Sequence, residues 1–513
     1  MLSFYISPLK IMYSKINSAS IHGVNILDVS VEVDISAGLP CFDMVGLLNS
    51  EVRESRERVR TAIKNQDINL PPKRITVNLS PVNIRKVGNY FDLPIAIGIL
   101  SAIGIIYSDM LERILIIGEL GLNGEVKKVD GVLTIVAGAK ELGYEKCIVP
   151  VDNASEGAIV KGIKVYGVST LNEAVELINK GLPNDAAVEC SNIVAKNIEN
   201  TVGDFEEIYG QEAIKKAAVV AACGMHHMLM VGAPGSGKSM IASRMSTIMP
   251  EPDFSECMEI TKIYSVAGEL QGASFVGKRP FRAPHHTISE AALVGGGKIP
   301  KPGEITLAHR GVLFLDELAE YKRDTLDVIR QPLENKKIII NRTSGTYEFP
   351  ADFMLVSATN PCKCGYYPDR NKCNCSEYQV DNYLGRISGP IMDRIDICVP
   401  VYPVSIDLIK EEKKGLSSEE MKRLVEKGRA MQVKRYKSNT IYNSALTSSM
   451  VRKYCPMSKD ARELLENAYN KFKLSMRAYF KIIKVARTIA DINECEVIDN
   501  VHMSEAINYR LFK

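Results

Sequence analysis

The stretch Val231-Gly-Ala-Pro-Gly-Ser-Gly-Lys-Ser239 has the spacing G-x-x-x-x-G-K-[ST] of a loop that binds phosphate. Its glycines permit backbone conformations in which successive N–H groups turn inward around an anion. Apolar residues 228–231 predict a buried strand before the loop, and residues 240–245 predict a helix after it, whose N-terminus faces the anion. The pattern therefore predicts an α/β fold with a nucleotide site. The predicted contacts are Gly232, Ala233, Pro234, Gly235, Ser236, Gly237, Lys238 and Ser239.

Two later strands are predicted to end in polar residues that suit the chemistry of a bound triphosphate. The first is an apolar run that ends in Asp316 and Glu317. Asp316 can hold Mg²⁺ together with the Ser239 hydroxyl, and Glu317 can orient and deprotonate an attacking water. The second covers residues 353–359 and ends in Asn360, which can sense the γ-phosphate or place the attacking water or, alternatively, only form a turn. We therefore predict that ATP is hydrolysed with Mg²⁺ as the cofactor.

The composition is that of an ordinary globular protein. Its 513 residues are 46% hydrophobic and 24% charged, and a chain of this length is expected to form about three domains. A net charge of +3 argues against a wholesale polyanion binder, so any nucleic-acid surface has to be local. Most cysteines are scattered singly through apolar segments, which favours a reducing, cytoplasmic location. The N-terminus lacks a signal-peptide pattern and the apolar run 91–107 is too short to span a bilayer, so we expect no membrane association.

These motifs together resemble those of AAA+ ATPases, whose core is a phosphate-loop domain followed by a helical lid. The segments Ile208-Tyr-Gly-Gln211, Arg282-Ala-Pro-His-His286 and Arg330-Gln-Pro-Leu-Glu334 narrow the resemblance to Mg-chelatase-like proteins and, within them, to the ComM (YifB) family. The resemblance covers nearly the whole chain. It implies that Ile208 and Tyr209 also contact the nucleotide.

The same resemblance assigns two arginines to hydrolysis. Arg394, in Ile391-Met-Asp-Arg-Ile-Asp396, is implied to be an arginine finger that reaches the nucleotide of a neighbouring subunit. Arg477, at a predicted helix start, is implied to be a second sensor that acts in cis or in trans. A guanidinium at either place would neutralise charge as the γ-phosphoryl group leaves, whereas a surface salt bridge is the alternative role.

The family implies a homo-hexameric ring that remodels DNA, with helicase or branch-migration activity in the recombination of transforming DNA. Recombination or competence proteins are its expected partners. Two functions of other classes fit the same sequence: a chelatase-type remodeller of a protein partner, and a binding module in which ATP acts as a switch. Stimulation of ATP hydrolysis by DNA would favour DNA remodelling. Stimulation by a protein partner alone would favour the chelatase-type remodeller.

The N-terminal part resembles the proteolytic domain of Lon proteases, an α+β fold shared with domain 2 of ribosomal protein S5. The resemblance rests on residues 118–131, Gly-Glu-Leu-Gly-Leu-Asn-Gly-Glu-Val-Lys-Lys-Val-Asp-Gly, and on Ile148-Val-Pro-Val-Asp-Asn153. Those proteases use a Ser/Lys dyad, whereas the aligned positions here hold Tyr90 and Leu133. A phenol and an alkyl chain cannot act as nucleophile and base in acyl transfer, so we predict a domain without peptidase activity.

The patterns predict four segments along the chain. Residues 1–181 are the Lon-like domain, 182–203 a polar linker, 204–403 the ATPase core and 404–513 the helical lid. In the lid, periodic apolar residues predict helices over 418–432, 459–472, 475–492 and 502–511, with Ser458 and Ser475 as caps.

Four cysteines follow Asn360 closely, in the pattern C-x-C-x₈-C-x-C. They are Cys362, Cys364, Cys373 and Cys375. Four thiolates in a short hydrophilic loop suit a tetrahedral Zn²⁺ ion. The spacing is tighter than in the usual C-x₂-C knuckle, so a metal-free, reduced loop over 362–375 is the alternative.

The interval between the phosphate loop and Asp316 is long enough for an insertion. After Asp316, a hairpin is predicted over 336–342 and 346–349, with a turn at 344–345. Related motors grip nucleic acid with such elements, so we expect Lys298, Lys337 and Arg342 to contact DNA phosphates. The adjacent residues His285 and His286 could be a metal pair, but adjacent side chains on a strand diverge. Packing or a DNA contact is therefore predicted for them rather than a metal site. The insertion is predicted to carry a mobile basic loop that contains Arg279, Arg282, His285, His286 and Lys298.

Overall fold

A computed structural model describes residues 12–82, 86, 88–107, 109–189, 195–196, 203–343, 345–403 and 415–510. No helix within these ranges is both long enough and apolar enough to cross a membrane.

The N-terminal unit is a mixed sheet with helices packed against it. Its seven strands lie in the order β3-β4-β2-β1-β5-β8-β9. The elements are β1 (Tyr13–His22), β2 (Asn25–Ser36), β3 (Cys41–Val45), α1 (Ser50–Asn65), β4 (Arg74–Ser80), α2 (Asp92–Ala102), β5 (Ile114–Ile116), β6 (Glu119–Leu120), β7 (Val126–Lys127), α3 (Val132–Glu141), β8 (Lys146–Pro150), α4 (Val151–Gly157), β9 (Lys164–Val168) and α5 (Leu171–Asn179), with 3-10 turns at Asp109–Arg113 and Asn184–Ala186.

Alternation of side chains explains the centre of this sheet. In β2, Val29, Val31 and Val33 are fully buried, and the polar residues between them face the other side. Helix α2 is apolar on all sides and is buried along almost its whole length, as expected of a core helix.

The second unit is built on a parallel sheet of five strands in the order β13-β16-β19-β11-β20. Its elements are β10 (Ala195–Lys196), α6 (Glu212–Gly224), β11 (Met228–Gly232), α7 (Lys238–Ile248), α8 (Phe254–Ala267), β12 (Phe275–Val276), β13 (Phe281–Arg282), α9 (Glu290–Val294), β14 (Gly295–Gly296), β15 (Lys301–Pro302), α10 (Glu304–Leu307), β16 (Val312–Leu315), α11 (Arg323–Asp327), α12 (Arg330–Asn335), β17 (Lys337–Arg342), β18 (Gly345–Pro350), β19 (Met354–Thr359), α13 (Glu377–Leu384), α14 (Gly389–Met392) and β20 (Ile397–Val401), with 3-10 turns at Phe205–Glu207 and Leu318–Glu320.

Helices make up the C-terminal unit, as the periodicity predicted. They are α15 (Ser418–Tyr436), α16 (Ser448–Tyr454), α17 (Lys459–Lys471), α18 (Met476–Ile492) and α19 (Asn500–Asn508), with a 3-10 turn at Asn443–Ala445. The side chains of Ser458 and Ser475 accept hydrogen bonds from the first turns of α17 and α18, so both predicted caps are confirmed. The last predicted helix ends at Asn508 rather than at 511, and residues 511–513 lie outside the described ranges.

Polar contacts join the N-terminal unit to the parallel-sheet unit. The Gly131 N–H donates to the carbonyl of Ser265 in α8 at 3.0 Å, and the Ser265 hydroxyl donates to the buried carboxylate of Glu156. The ring of His22 stacks on Tyr347 of β18 at 4.2 Å. Residues 195–196, inside the predicted linker, pair with β12 as a short parallel strand. The described part of this linker is therefore not wholly irregular.

Candidate nucleotide-binding site

The phosphate loop connects β11 to α7 as predicted. Gly235 and Gly237 adopt positive φ angles of +75° and +91°, which residues other than glycine rarely adopt. The Lys238 ammonium donates to the carbonyls of Gly232 at 2.7 Å and Ala233 at 2.8 Å. Burial lowers its pKa, although Asp316 and Glu317 oppose this effect. The lysine therefore lies directly at the loop, where it can meet a phosphate.

Three neighbouring strands bring their carboxyl ends to this loop. Strand β19 lies between β11 and β16, so Asn360 and Asp316 follow strands of the same parallel sheet. The Ser239 hydroxyl donates to Oδ2 of Asp316 at 2.7 Å, and Oδ1 of Asn360 lies 3.3 Å from the Lys238 ammonium. A hydroxyl beside a carboxylate is the donor set that Mg²⁺ takes in phosphate-loop proteins, so the residues present fit this ion. The structure thus brings together the metal ligands, the lysine and the sensor that the sequence predicts.

Two residues that the sequence analysis did not select as site residues lie beside the phosphate loop. The Gln211 amide donates to the carbonyls of Ser236 and Tyr402, each at 3.0 Å, and so links the segment after Tyr209 to the phosphate loop. Ile208 is buried, and Tyr209 is half-buried. Tyr402 follows β20 directly and leaves an exposed aromatic face next to this loop. From the sequence, only the position of Tyr402 at the end of a strand could have suggested that it lies next to the phosphate loop.

Glu317 contacts a histidine of the insertion. Its Oε2 lies 3.2 Å from Nδ1 of His286, and its backbone has a φ of +51°, which is uncommon for a residue with a side chain. The premise that His285 and His286 lie on a strand and diverge was wrong, whereas their ring contact agrees with the predicted packing. The rings of His285 and His286 are 4.1 Å apart because the two residues lie in a turn and not in a strand.

Arg394 and Arg477 lie close together near the amino ends of the strands, on the side opposite the phosphate loop. Glu334 of α12 contacts the guanidinium of Arg394 and lies 4.0 Å from that of Arg477. Ile397, just after Arg394, pairs with Met228 at the start of β11, whereas the phosphate loop follows the end of that strand. Five residues of strand span about 13 Å, so neither arginine is placed to reach the phosphates of its own chain.

The predicted mobile basic loop is not confirmed, because two of its cations are fixed in ion pairs. Arg279 is buried and contacts Glu256 at 2.7 Å, and Arg282 contacts Glu304 at 2.6 Å and Glu269 at 3.1 Å. Carboxylates close to these guanidinium groups neutralise their charge. Lys298 is the cation of this set that is exposed.

The predicted hairpin is confirmed as β17 and β18, although Ser344 of its turn lies outside the described residues. It lies beside the short hairpin β14–β15. A Cβ built on Gly296 of that hairpin would be 3.7 Å from the guanidinium of Arg342. Arg342 is exposed, whereas Lys337 is half-buried and pairs with Glu348 at 3.1 Å. The two hairpins thus present Lys298 and Arg342 on adjacent elements.

The four cysteines after Asn360 form one cluster, in which all four sulfur atoms lie within 4.8 Å of one another. The distances are 3.3 Å from Cys362 to Cys364, 3.8 Å from Cys362 to Cys373, and 3.5 Å from Cys364 to both Cys373 and Cys375. A tetrahedral site with Zn–S bonds of 2.3 Å has edges of about 3.8 Å, so the donor set fits Zn²⁺. The chain folds as the pattern predicts, with both cysteine pairs converging.

Tyr90 and Leu133, the positions aligned with a protease dyad, are both buried. The backbone N–H of Ile21 donates to the Tyr90 hydroxyl at 3.2 Å. Leu133 belongs to the hydrophobic core of the N-terminal unit. Neither position offers an accessible nucleophile.

The sequence matches three family descriptions in succession. Residues 31–153 match "Subunit ChlI of Mg-chelatase", residues 204–408 match "Magnesium chelatase, subunit ChlI", and residues 415–510 match "Magnesium chelatase, subunit ChlI C-terminal".

Individual proteins match over almost the full length. Competence protein ComM of Haemophilus influenzae is 40% identical over 98% of this chain and 97% of its own length. The uncharacterized protein YifB of Escherichia coli is 38% identical over 95% of each chain. The magnesium-chelatase 67 kDa subunit of Chlorobaculum parvum is 24% identical over only 39% of this chain and 27% of its own. With this identity over full-length relatives, and with a phosphate loop, Ser239 and Asp316 arranged around one site, the chain belongs to the ComM (YifB) family of Mg-chelatase-like AAA+ proteins.

Proposed function

We propose that this protein is a Mg²⁺-dependent ATPase that works on DNA as a ring of identical subunits. The observation that carries the ATPase activity is the 2.7 Å contact between the Ser239 hydroxyl and the Asp316 carboxylate, next to the phosphate loop. Membership of an AAA+ family supports the same activity.

Each residue of the site then has a role in hydrolysis. The backbone N–H groups of the loop and the Lys238 ammonium hold the phosphates, and Ser239 and Asp316 hold Mg²⁺. The ion, when bound, neutralises charge on the phosphate oxygens. Glu317 deprotonates the attacking water, and Asn360 orients it. Glu317→Gln removes the base and keeps the shape, so this variant should bind ATP and lose turnover.

The ring is supported by the position of the two arginines. Arg394 and Arg477 lie at the edge of the sheet opposite their own phosphate loop, where Glu334 holds them. A head-to-tail arrangement of subunits brings such an edge to the site of the next subunit, and a closed rotation gives a ring. We propose a homo-hexamer in which Arg394 acts as the finger, worth about 10³–10⁵ in rate, and Arg477 acts beside it in trans.

DNA is the proposed substrate, with branch migration in the recombination of transforming DNA as the activity and recombination or competence proteins as partners. The name of the relative, Competence protein ComM, supports this choice, as do the adjacent hairpins with Lys298 and Arg342. A Lys298→Ala/Lys337→Ala/Arg342→Ala variant should bind DNA more weakly, and the slope of log affinity against log salt should decrease by about 0.9 for each DNA phosphate that the variant no longer neutralises. Lys180→Ala, an exposed lysine directly after α5 in the N-terminal unit, is the control. Unchanged affinity and slope in the triple variant would exclude this surface.

The test of the whole proposal is ATP turnover in the presence of forked, single-stranded and duplex DNA. We expect DNA to stimulate turnover by the natural sequence and to leave Glu317→Gln inactive. A protein that hydrolyses ATP at the same rate with and without each DNA would contradict the DNA part. A protein that is inactive under all conditions would contradict the ATPase part.

A chelatase-type remodeller of a protein partner is the second candidate. The similarity to the magnesium-chelatase 67 kDa subunit favours it, although this similarity covers a minor part of either chain. In that case a protein partner, and no form of DNA, would stimulate turnover.

We further propose that the cysteine cluster holds a structural Zn²⁺ ion and that the protein works in the cytoplasm, where thiols stay reduced. The distances between the sulfur atoms support the metal. Metal analysis of protein purified without chelator should find about one zinc per chain. Zinc-free protein with four titratable thiols would contradict the proposal.

A further inference from the structure

The loop that carries the cysteine cluster lies against the phosphate loop. Gly365, which follows Cys364, has a φ of +89°, and a Cβ built on it would lie 2.6 Å from Cδ of Pro234 and 3.9 Å from Cγ of Asn360. The bare backbone of Gly365 therefore packs on the Pro234 ring, at a distance that excludes a side chain. Pro234 is exposed on its other faces, so this contact covers the phosphate loop from outside.

The other hydrogen bonds described for this loop join its own residues. Between Asn360 and α13 the described chain forms turns, without helix or strand. Its small hydrophobic core has three buried residues, Cys362, Cys373 and Val380, with Tyr367, Cys375 and Leu384 packed against them. The Gly365 N–H donates to the Cys362 carbonyl at 3.0 Å, which ties the contact residue to a cysteine of the cluster. An irregular segment with so small a core gains order mainly from a cross-link, and a bound metal supplies one.

The cluster is also close in sequence to the sensor. Cys362 lies two positions after Asn360, whose amide oxygen is 3.3 Å from the Lys238 ammonium. The cluster thus adjoins the phosphate loop in two ways: through the chain to Asn360 and through space from Gly365 to Pro234.

We propose that Zn²⁺ in the cysteine cluster acts as an outer wall of the nucleotide site, where it positions Gly365 against Pro234 and thereby fixes the phosphate loop and Asn360 for hydrolysis. This inference rests on the proposed ATPase activity and zinc site. The cysteines do not contact the nucleotide, so they are positioning residues. A displacement of catalytic groups by about 1 Å can cost 10²-fold in rate, so loss of the metal should reduce kcat by about 10–100-fold.

The test compares three variants with the natural sequence. Cys373→Ser/Cys375→Ser removes half of the donor set, Gly365→Ala keeps all four thiols but introduces a methyl group against Pro234, and Cys495→Ser changes a half-buried lid cysteine outside the cluster. For each variant we would measure zinc per chain, ATP turnover, and hydrogen exchange of the amides in residues 232–239, which is independent of turnover.

We expect the double cysteine variant to lose zinc, to lose about 10–100-fold in turnover, and to exchange the phosphate-loop amides faster. Gly365→Ala should keep zinc and still lose turnover, whereas Cys495→Ser should behave like the natural sequence. Zinc loss with unchanged exchange and turnover would overturn the coupling. An inactive natural protein whose phosphate-loop exchange still responds to zinc would contradict the proposed ATPase activity and leave the coupling standing.

Discussion

At the scale of single residues, the contact between His286 and Glu317 occupies the carboxylate that is proposed to activate water. Nδ1 of His286 lies 3.2 Å from Oε2 of Glu317, and the histidine belongs to the segment that leads to α9 and the hairpin with Lys298. The contact therefore connects the site of hydrolysis to an exposed basic element. A half-exposed pair of this kind is worth up to about 1 kcal/mol.

We predict that His286→Ala raises ATP turnover in the absence of DNA by up to about fivefold, because Glu317 is then free to contact water. His285→Ala, which removes the neighbouring ring but leaves the contact to Glu317, is the matched control. Steady-state phosphate release without DNA measures the effect. A large loss of turnover in His286→Ala would mean that the histidine positions the carboxylate instead.

A second prediction concerns the half-buried His227. Its Nδ1 accepts a hydrogen bond from the Leu355 N–H at 3.1 Å, and burial lowers its pKa from 6.5 to about 4. Below pH 6.5 the unfolded chain binds a proton at this residue, whereas the folded chain binds it only below about pH 4. The stability due to neutral His227 is therefore complete above pH 6.5 and is lost as the pH falls towards 4. This amounts to about 2 kcal/mol between pH 7 and pH 5.

His227→Asn keeps an acceptor for the Leu355 N–H and removes the titrating group. We expect the pH dependence of the unfolding free energy to be weaker in this variant by about 2 kcal/mol over the same range. Urea unfolding at pH 7 and pH 5, followed by circular dichroism, gives the comparison. Equal pH dependence in both proteins would show that His227 is not the group responsible.

At the scale of elements, the lid depends on a buried carboxylate shared by two helices. Asp491 accepts hydrogen bonds from Nε of Arg487 at 3.1 Å and Nη1 of Arg435 at 2.9 Å, and neither Asp491 nor Arg487 is exposed. Asn443 donates to the same carboxylate at 2.9 Å. The network joins α15, α18 and the turn between α15 and α16.

Asp491→Ala should destabilise the lid by about 3–5 kcal/mol, because it leaves the Arg487 guanidinium buried without a counter-charge. Glu463→Ala is the control, since it breaks an exposed pair with Lys459 at 3.8 Å and should cost less than about 1 kcal/mol. Thermal unfolding by calorimetry measures both. Similar losses in the two variants would contradict a special role for the buried network.

Elements with a strong local pattern could be predicted from the sequence, and contacts through space could not. The phosphate loop, β2 and the capped helices of the lid follow from spacing and periodicity alone. The ion pairs that neutralise Arg279 and Arg282 involve acids from other elements, such as Glu256 and Glu304, which no local pattern connects to them. For the same reason the sequence left open whether Arg477 acts in cis or in trans, and its position near Glu334 and Arg394 supports the proposed action in trans.

At the scale of the whole molecule, the proposed catalytic residues are divided between two edges of one sheet. The phosphate loop and Asp316 lie at the carboxyl ends of the strands, and Arg394 precedes the start of β20. The N-terminal unit contacts α8 and the hairpin β17–β18 of the same chain. Each subunit would thus contribute half of two different sites, which requires assembly for turnover.

Mixing two inactive variants tests this claim most directly. Lys238→Ala lacks a working phosphate loop but still offers Arg394, and Arg394→Ala lacks the finger but keeps its own loop. Random assembly of equal amounts places an intact loop beside an intact finger at about a quarter of the sites of a closed ring, so we predict recovery of about a quarter of the natural turnover. Turnover of the mixture equal to the mean of the two variants alone would contradict a site shared between subunits.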